Sequence, residues 1–103
     1  MPVAMLTLEL AIEHAQSVKD RRQVVRSLKD KLRNSFNVSV SELDDAALWN
    51  RAIIGVAAIS SSRDYLAGQM ELVEKAARGL CAGLGAEIVD CYWSFAESGT
   101  DSE

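Results

Sequence analysis

Lys19, Arg22, Arg26, Lys29 and Arg33 recur at intervals of three and four residues, the spacing that stacks side chains on one face of an α-helix. At ~100° per residue these five cations fall within an arc of roughly 80°. With a rise of ~1.5 Å per residue, the row from Lys19 to Arg33 is ~20 Å long. A row of that length can follow a phosphate backbone, neutralising its charges without reading bases. Two uses fit the pattern. It is a surface for a polyanion or an acidic partner, or it is a solvated face whose cations attract the protein's own carboxylates. Seven of the 11 Lys and Arg residues lie between Lys19 and Arg33 with only Asp20 and Asp30 among them, so this segment carries +5 although the whole chain carries −4. That balance excludes a uniformly basic nucleic-acid binder and leaves room for a local basic patch.

No second constellation points to catalysis. His14 is the sole histidine and lies beside Glu13, without a recognisable partner, so it reads as a surface residue. Cys81 and Cys91 form neither a CxxC nor a Cys/His zinc spacing. Both read as small buried hydrophobes. Glu42, Asp44 and Asp45 lack the glycine and the alternating ligands of a calcium loop, and read as a solvated hairpin turn. Trp49 after them is a packing residue or an interface anchor. No Gly-rich phosphate loop follows the first strand pattern, and the segment from Glu13 to Gln16 supplies an acid, Glu13, where acylphosphatase-like chemistry would need an anion-binding arginine. The expectation is no catalytic residue, no metal, no cofactor and no small-molecule substrate.

The elements that must carry the cations come from periodicity. The chain has 103 residues, 49% hydrophobic and 25% charged, which suits one globular domain with one core. The domain is placed at 1–97, with 98–103 an acidic, disordered tail. No apolar run reaches the ~18 residues of a membrane span and no signal peptide opens the chain, so a cytoplasmic location is expected. Pro2 to Ile12 alternates with period two and predicts a strand. Ser17 with Asp20 starts a helix whose apolar stripe is Val24, Val25, Leu28 and Leu32, ending near Phe36. Asn37 to Leu43 alternates again, and Ala52 to Ser60 is apolar on both faces, as a central strand is. Ser61 or Ser62 caps a second helix with Leu66, Met70, Val73, Ala77, Leu80 and Leu84 on its core side, closed by Gly83 or Gly85. Glu87 to Phe95 ends the pattern, with Val89, Cys91, Trp93 and Phe95 on one parity.

The order βαββαβ is the split-βαβ, ferredoxin-like plan: an α+β fold whose antiparallel sheet runs 4-1-3-2 with two helices on one face. Leu6, Leu8, Leu28, Leu32, Val56, Leu66, Met70, Val73 and Trp93 are expected in its core. Arg21 falls inside the first helix's apolar stripe, so it must snorkel out or pair with a carboxylate at the sheet end, Glu42 being the candidate. The other sheet face stays open. RNA-recognition motifs stack bases there on aromatics of the first and third strands, but the third strand here has none. Instead Met5, Ile53, Ile59, Ile88 and Tyr92 are expected to form an apolar patch, the mark of an interface such as a homodimer.

Ser17-Val18-Lys19-Asp20-Arg21-Arg22 resembles the Ser-Leu-Lys-Asp-Lys-Arg helix start of the YlxP-like family, small bacterial proteins of unknown function. Phe36-Asn37-Val38-Ser39-Val40-Ser41-Glu42, Leu48-Trp49 and Gly55-Val56-Ala57 are similar to its following segments. The likeness is close from Val3 to Ser60 and generic beyond. Val18, Arg21 and Ser41 depart from the family's usual leucine, lysine and alanine. The resemblance implies a ferredoxin-like fold and an association with translation and ribosome maturation, and carries over no catalytic residue. Two functions follow as expectations. One is a non-enzymatic accessory protein that binds structured RNA or a ribonucleoprotein such as the ribosome through the basic helix. The other is a protein-interaction or homodimerisation module that uses the open sheet face.

Overall fold

Ala4, Leu6, Leu8 and Leu10 alternate with less buried neighbours along β1 (Val3–Ala11). A computed structural model describes residues 1–13, 15–43 and 50–96. After β1 come α1 (Val18–Ser35), β2 (Ser39–Glu42), β3 (Arg51–Ile59), α2 (Arg63–Leu84) and β4 (Glu87–Ala96). The strands form one antiparallel sheet in the order β2-β3-β1-β4. This is the ferredoxin-like arrangement expected, read from its other edge.

Local chemistry sets the helix ends. Ser17 Oγ accepts from the Asp20 N–H at 3.2 Å, and the Asp20 carboxylate accepts from the Gln16 N–H at 3.1 Å. The first occupies one of the donors that a helix start leaves unpaired, and the second ties the residue before the cap to the first turn. Ser62 caps α2 through the Tyr65 N–H at 3.1 Å. Gly85, not Gly83, ends α2, with φ at 76° in the left-handed region that favours glycine.

Both helices pack on one sheet face. There Leu28 and Leu32 of α1 meet Leu66, Met70 and Val73 of α2 over Leu6, Leu8, Ile54 and Val56, all essentially inaccessible to solvent. Trp93 was expected inside this core but is only half-buried against it, because β4 is an edge strand that α2 covers incompletely. Trp93 and Phe95 meet edge to face, and the Arg63 guanidinium lies 4.6 Å from the Phe95 ring centre. Val24 likewise sits at the margin, while Arg21 takes an interior position on α1.

One expectation is overturned. Ile88 is not on the open face: it is buried on the helix side, opposite Leu10. The register of β1 with β4 passes from Glu9↔Asp90 to Leu10↔Ile88, so Val89 has no partner and forms a bulge. A bulge places two residues opposite one and reverses the parity beyond it. Val89, which shares the parity of Trp93 in the sequence, is therefore exposed.

Candidate nucleic-acid interface

The orientation of α1 about its own axis decides where its cations point, and a buried ion pair fixes that orientation. Arg21 is 1% exposed. Its Nε donates to the Arg51 carbonyl at 2.8 Å, and its terminal guanidinium nitrogen is ion-paired with Glu42 Oε2. One side chain thus ties the helix start to the end of β2 and the beginning of β3. The pairing with Glu42 is the one read from the sequence.

With Arg21 turned inward, Lys19, Arg22, Arg26 and Arg33 are exposed and Lys29 is half-buried. Arg22, Arg26, Lys29 and Arg33 come together along a cleft of about 440 Å³ that also has Val25, Asp30 and Glu42 in its walls. Lys19 stands outside this cleft, at the helix start. Arg33 is paired with Asp30 at 3.1 Å. Among the described residues, Lys19, Arg22, Arg26 and Lys29 have no ion-pair partner. An anion in the cleft would relieve the mutual repulsion of Arg22, Arg26 and Lys29.

The open sheet face holds Met5, Ile53, Ile59 and Tyr92 as expected, through the pairs Met5↔Ala57, Glu9↔Ile53, Val3↔Ile59 and Thr7↔Tyr92. Met5, Ile59 and Tyr92 are each about half exposed or more, at 49%, 62% and 56%. Leu43 joins them. Its side chain lies over Gly55, where an added Cβ would stand 2.8 Å from Leu43 Cδ1. The glycine admits the leucine, and the sequence pattern had not marked that contact.

A further cleft of about 570 Å³ lies between the end of α1 and the start of α2, with Phe36, Tyr65, Gln69 and Leu72 in its walls. Sequence reasoning missed it. The available signal was Gln69, a polar residue flanking the α2 core stripe beside Met70.

Burial pushes both thiols up from 9.0 to about 11. For Cys91 the Glu74 carboxylate adds to the shift by its charge and by accepting the thiol's hydrogen bond. Arg78 works against the shift at both cysteines. Such thiols are poor nucleophiles at neutral pH. Among the described residues no group of His, Cys, Asp or Glu side chains could hold a metal, and no helix is long and apolar enough to cross a membrane. His14, Asp44, Asp45, Trp49 and the tail at 98–103 lie outside the described residues.

Comparison with known proteins agrees with the ferredoxin-like fold and with the YlxP-like resemblance. An uncharacterised protein, YlxP of Bacillus subtilis (strain 168), is 42% identical over 55 residues, covering 53% of this chain and 60% of that protein. The match thus spans less than two thirds of that relative. A dimeric ferredoxin-like protein of unknown function from Thermobifida fusca superposes with a TM-score of 0.53 at 16% identity, covering 93% of this chain and 90% of that one. The YxeP protein of Bacillus subtilis, a dinuclear metal binding peptidase of the M20 family, gives 0.52 at 15% identity over 90% of this chain and 25% of that one. These two likenesses concern the fold alone. The model of a family described as protein of unknown function (DUF503) matches residues 3–92, and the chain belongs to that family.

Proposed function

We propose that this protein is a non-enzymatic, cytoplasmic accessory factor that binds structured RNA or a ribonucleoprotein through Lys19, Arg22, Arg26, Lys29 and Arg33. The observation that carries this reading is the cleft beside α1, lined by Arg22, Arg26 and Lys29 with no ion-pair partner among the described residues. Arg33 and Arg78, by contrast, are paired with Asp30 and Glu74. The net charge of −4 repels polyanions from the rest of the surface and confines contact to this helix. The YlxP-like resemblance points the same way, toward translation and ribosome maturation. Crosslinking in cells, followed by recovery of RNA bound to the protein, tests it. Crosslinked nucleotides on α1 support the reading, and crosslinks confined to other elements, or no recovered RNA, refute it.

A second reading is favoured by the exposed Met5, Leu43, Ile59 and Tyr92. In that reading the open sheet face joins two copies of the chain. The similar Thermobifida fusca protein is described as dimeric.

A further inference from the structure

The ten-residue strand β4 closes one side of the sheet, bonded to β1 and to no other strand among the described residues. Every second residue of an end strand turns its N–H and C=O outward, a template for another extended chain. Folded chains guard such edges by shortness, charge, proline or a bulge. The opposite edge strand, β2, is only four residues long. Along β4 the guard is confined to the first part, which holds Glu87, the Val89 bulge and Asp90. From Cys91 to Ala96 the strand reads Cys-Tyr-Trp-Ser-Phe-Ala, with neither charge nor proline. Trp93 and Phe95 are only half-buried there, on the helix side of the sheet where α2 stops short of covering them.

We infer that this edge takes a second copy of the same strand: two β4 strands pair antiparallel about a two-fold axis at Trp93 and join two four-stranded sheets into one. Opposed residues of an antiparallel pair lie on the same face, so Trp93 meets Trp93 of the partner subunit and Cys91 meets Phe95 of the partner subunit. This register lays the two uncharged segments on each other and keeps Glu87 and the bulge outside the ladder. It also lets each Trp93 cover the other. Charges beside the strand agree with the direction. The Arg63 guanidinium stacks on Phe95, while Glu74, held by Arg78, accepts the hydrogen bond of the Cys91 thiol. Antiparallel pairing brings Arg63 toward Glu74 of the partner subunit, whereas parallel pairing would set Arg63 against its own counterpart. The α1 cations lie over β2 and β3, on the far side of the sheet from this edge. The inference therefore stands apart from RNA binding, and it uses the sheet edge rather than the open sheet face.

Sedimentation equilibrium of the full chain tests it. Wild type should weigh twice the 11.2 kDa of one chain. Trp93→Lys and Trp93→Glu should each halve that mass, because like charges then oppose each other across the axis. Mixed in equal amounts, the two variants should regain the dimer, since Lys now opposes Glu. Misfolded chains cannot produce that recovery. A monomeric wild type, dimeric single variants, or a mixture of folded variants that stays monomeric overturns the inference. Dissociation by Ile53→Asp with both Trp93 variants still dimeric assigns the dimer to the open sheet face and likewise overturns the edge. Should either Trp93 variant lose the wild-type circular dichroism spectrum, amide exchange of wild type decides. Alternate amides between Cys91 and Phe95 should exchange more slowly at dimer than at monomer concentration, and equal rates overturn the pairing.

Discussion

Arg21 of α1 is buried and ion-paired with Glu42 of β2, while Glu42 keeps 28% of its side chain open to solvent. The two ends of this pair are therefore unequal. Removing the carboxylate leaves a fully buried guanidinium without its counter-charge, whereas removing the guanidinium leaves a carboxylate whose paired oxygen is buried but whose side chain is partly open to water. Glu42→Leu is expected to cost about 3 kcal/mol and Arg21→Met about 1–2 kcal/mol. The double variant should recover most of the loss, because no charge is left unpaired. Urea unfolding midpoints check this, and equal costs for the two single changes would contradict it.

The Val89 bulge makes a similar contrast between neighbours. Ile88→Asp places a carboxylate in the core and is expected to cost at least ~3 kcal/mol. Val89→Asp, one residue on, should change stability by less than ~1 kcal/mol because the position is exposed. Thermal unfolding of the two variants decides between the bulged register and strict alternation.

That register shows where sequence reading ran out. Leu6, Leu8, Leu28, Leu66 and Met70 were legible as core because only one phase of their period buries them together. Ile88 and Val89 are adjacent and both apolar, so either parity offers a residue for the core, and pairing with Leu10 settles which one enters. Arg21 was legible for the opposite reason. A charge inside an apolar stripe demands a partner, and Glu42 ended the neighbouring strand. The cations were visible by spacing alone, but the cleft of Arg22, Arg26, Lys29 and Arg33 depends on how α1 sits beside β2. Tyr65 and Gln69 are neighbours by their spacing of four on α2, but Phe36 joins them only through the packing of two helices, which no local pattern encodes.

The thiols make stability depend on pH in a known direction. Cys81 and Cys91 ionise at about 11 in the folded chain against 9.0 for an ordinary thiol. The folded state therefore holds its protons where the unfolded state has begun to lose them. This contribution is complete below pH 9 and is lost as pH rises toward about 11. Urea midpoints should fall across that window, and Cys81→Ala should flatten the fall. At neutral pH, iodoacetamide should label Cys81 far more slowly in the folded protein than in urea. Equal labelling rates would contradict the burial of this thiol.

Association through the open sheet face predicts a dimer that Ile53→Asp converts to monomer. The side chain at 53 faces away from the helices, so the variant should stay folded. An unpaired carboxylate buried between two copies is costly. Sedimentation equilibrium reads the outcome: a monomeric wild type, or a dimeric Ile53→Asp variant, counts against this interface.

If the α1 cations hold RNA by charge, a salt titration shows it. Binding to ribosomal RNA should weaken steeply with salt. If all five cations engage phosphates, log Kobs against log salt should have a slope of roughly −4 to −5. Reversing Arg22, Arg26 and Lys29 to Glu should abolish the binding and leave the urea midpoint close to wild type, since none of the three belongs to the buried core. A triple variant that binds as tightly as wild type at equal salt would show the cations to be a solvated face and contradict the account.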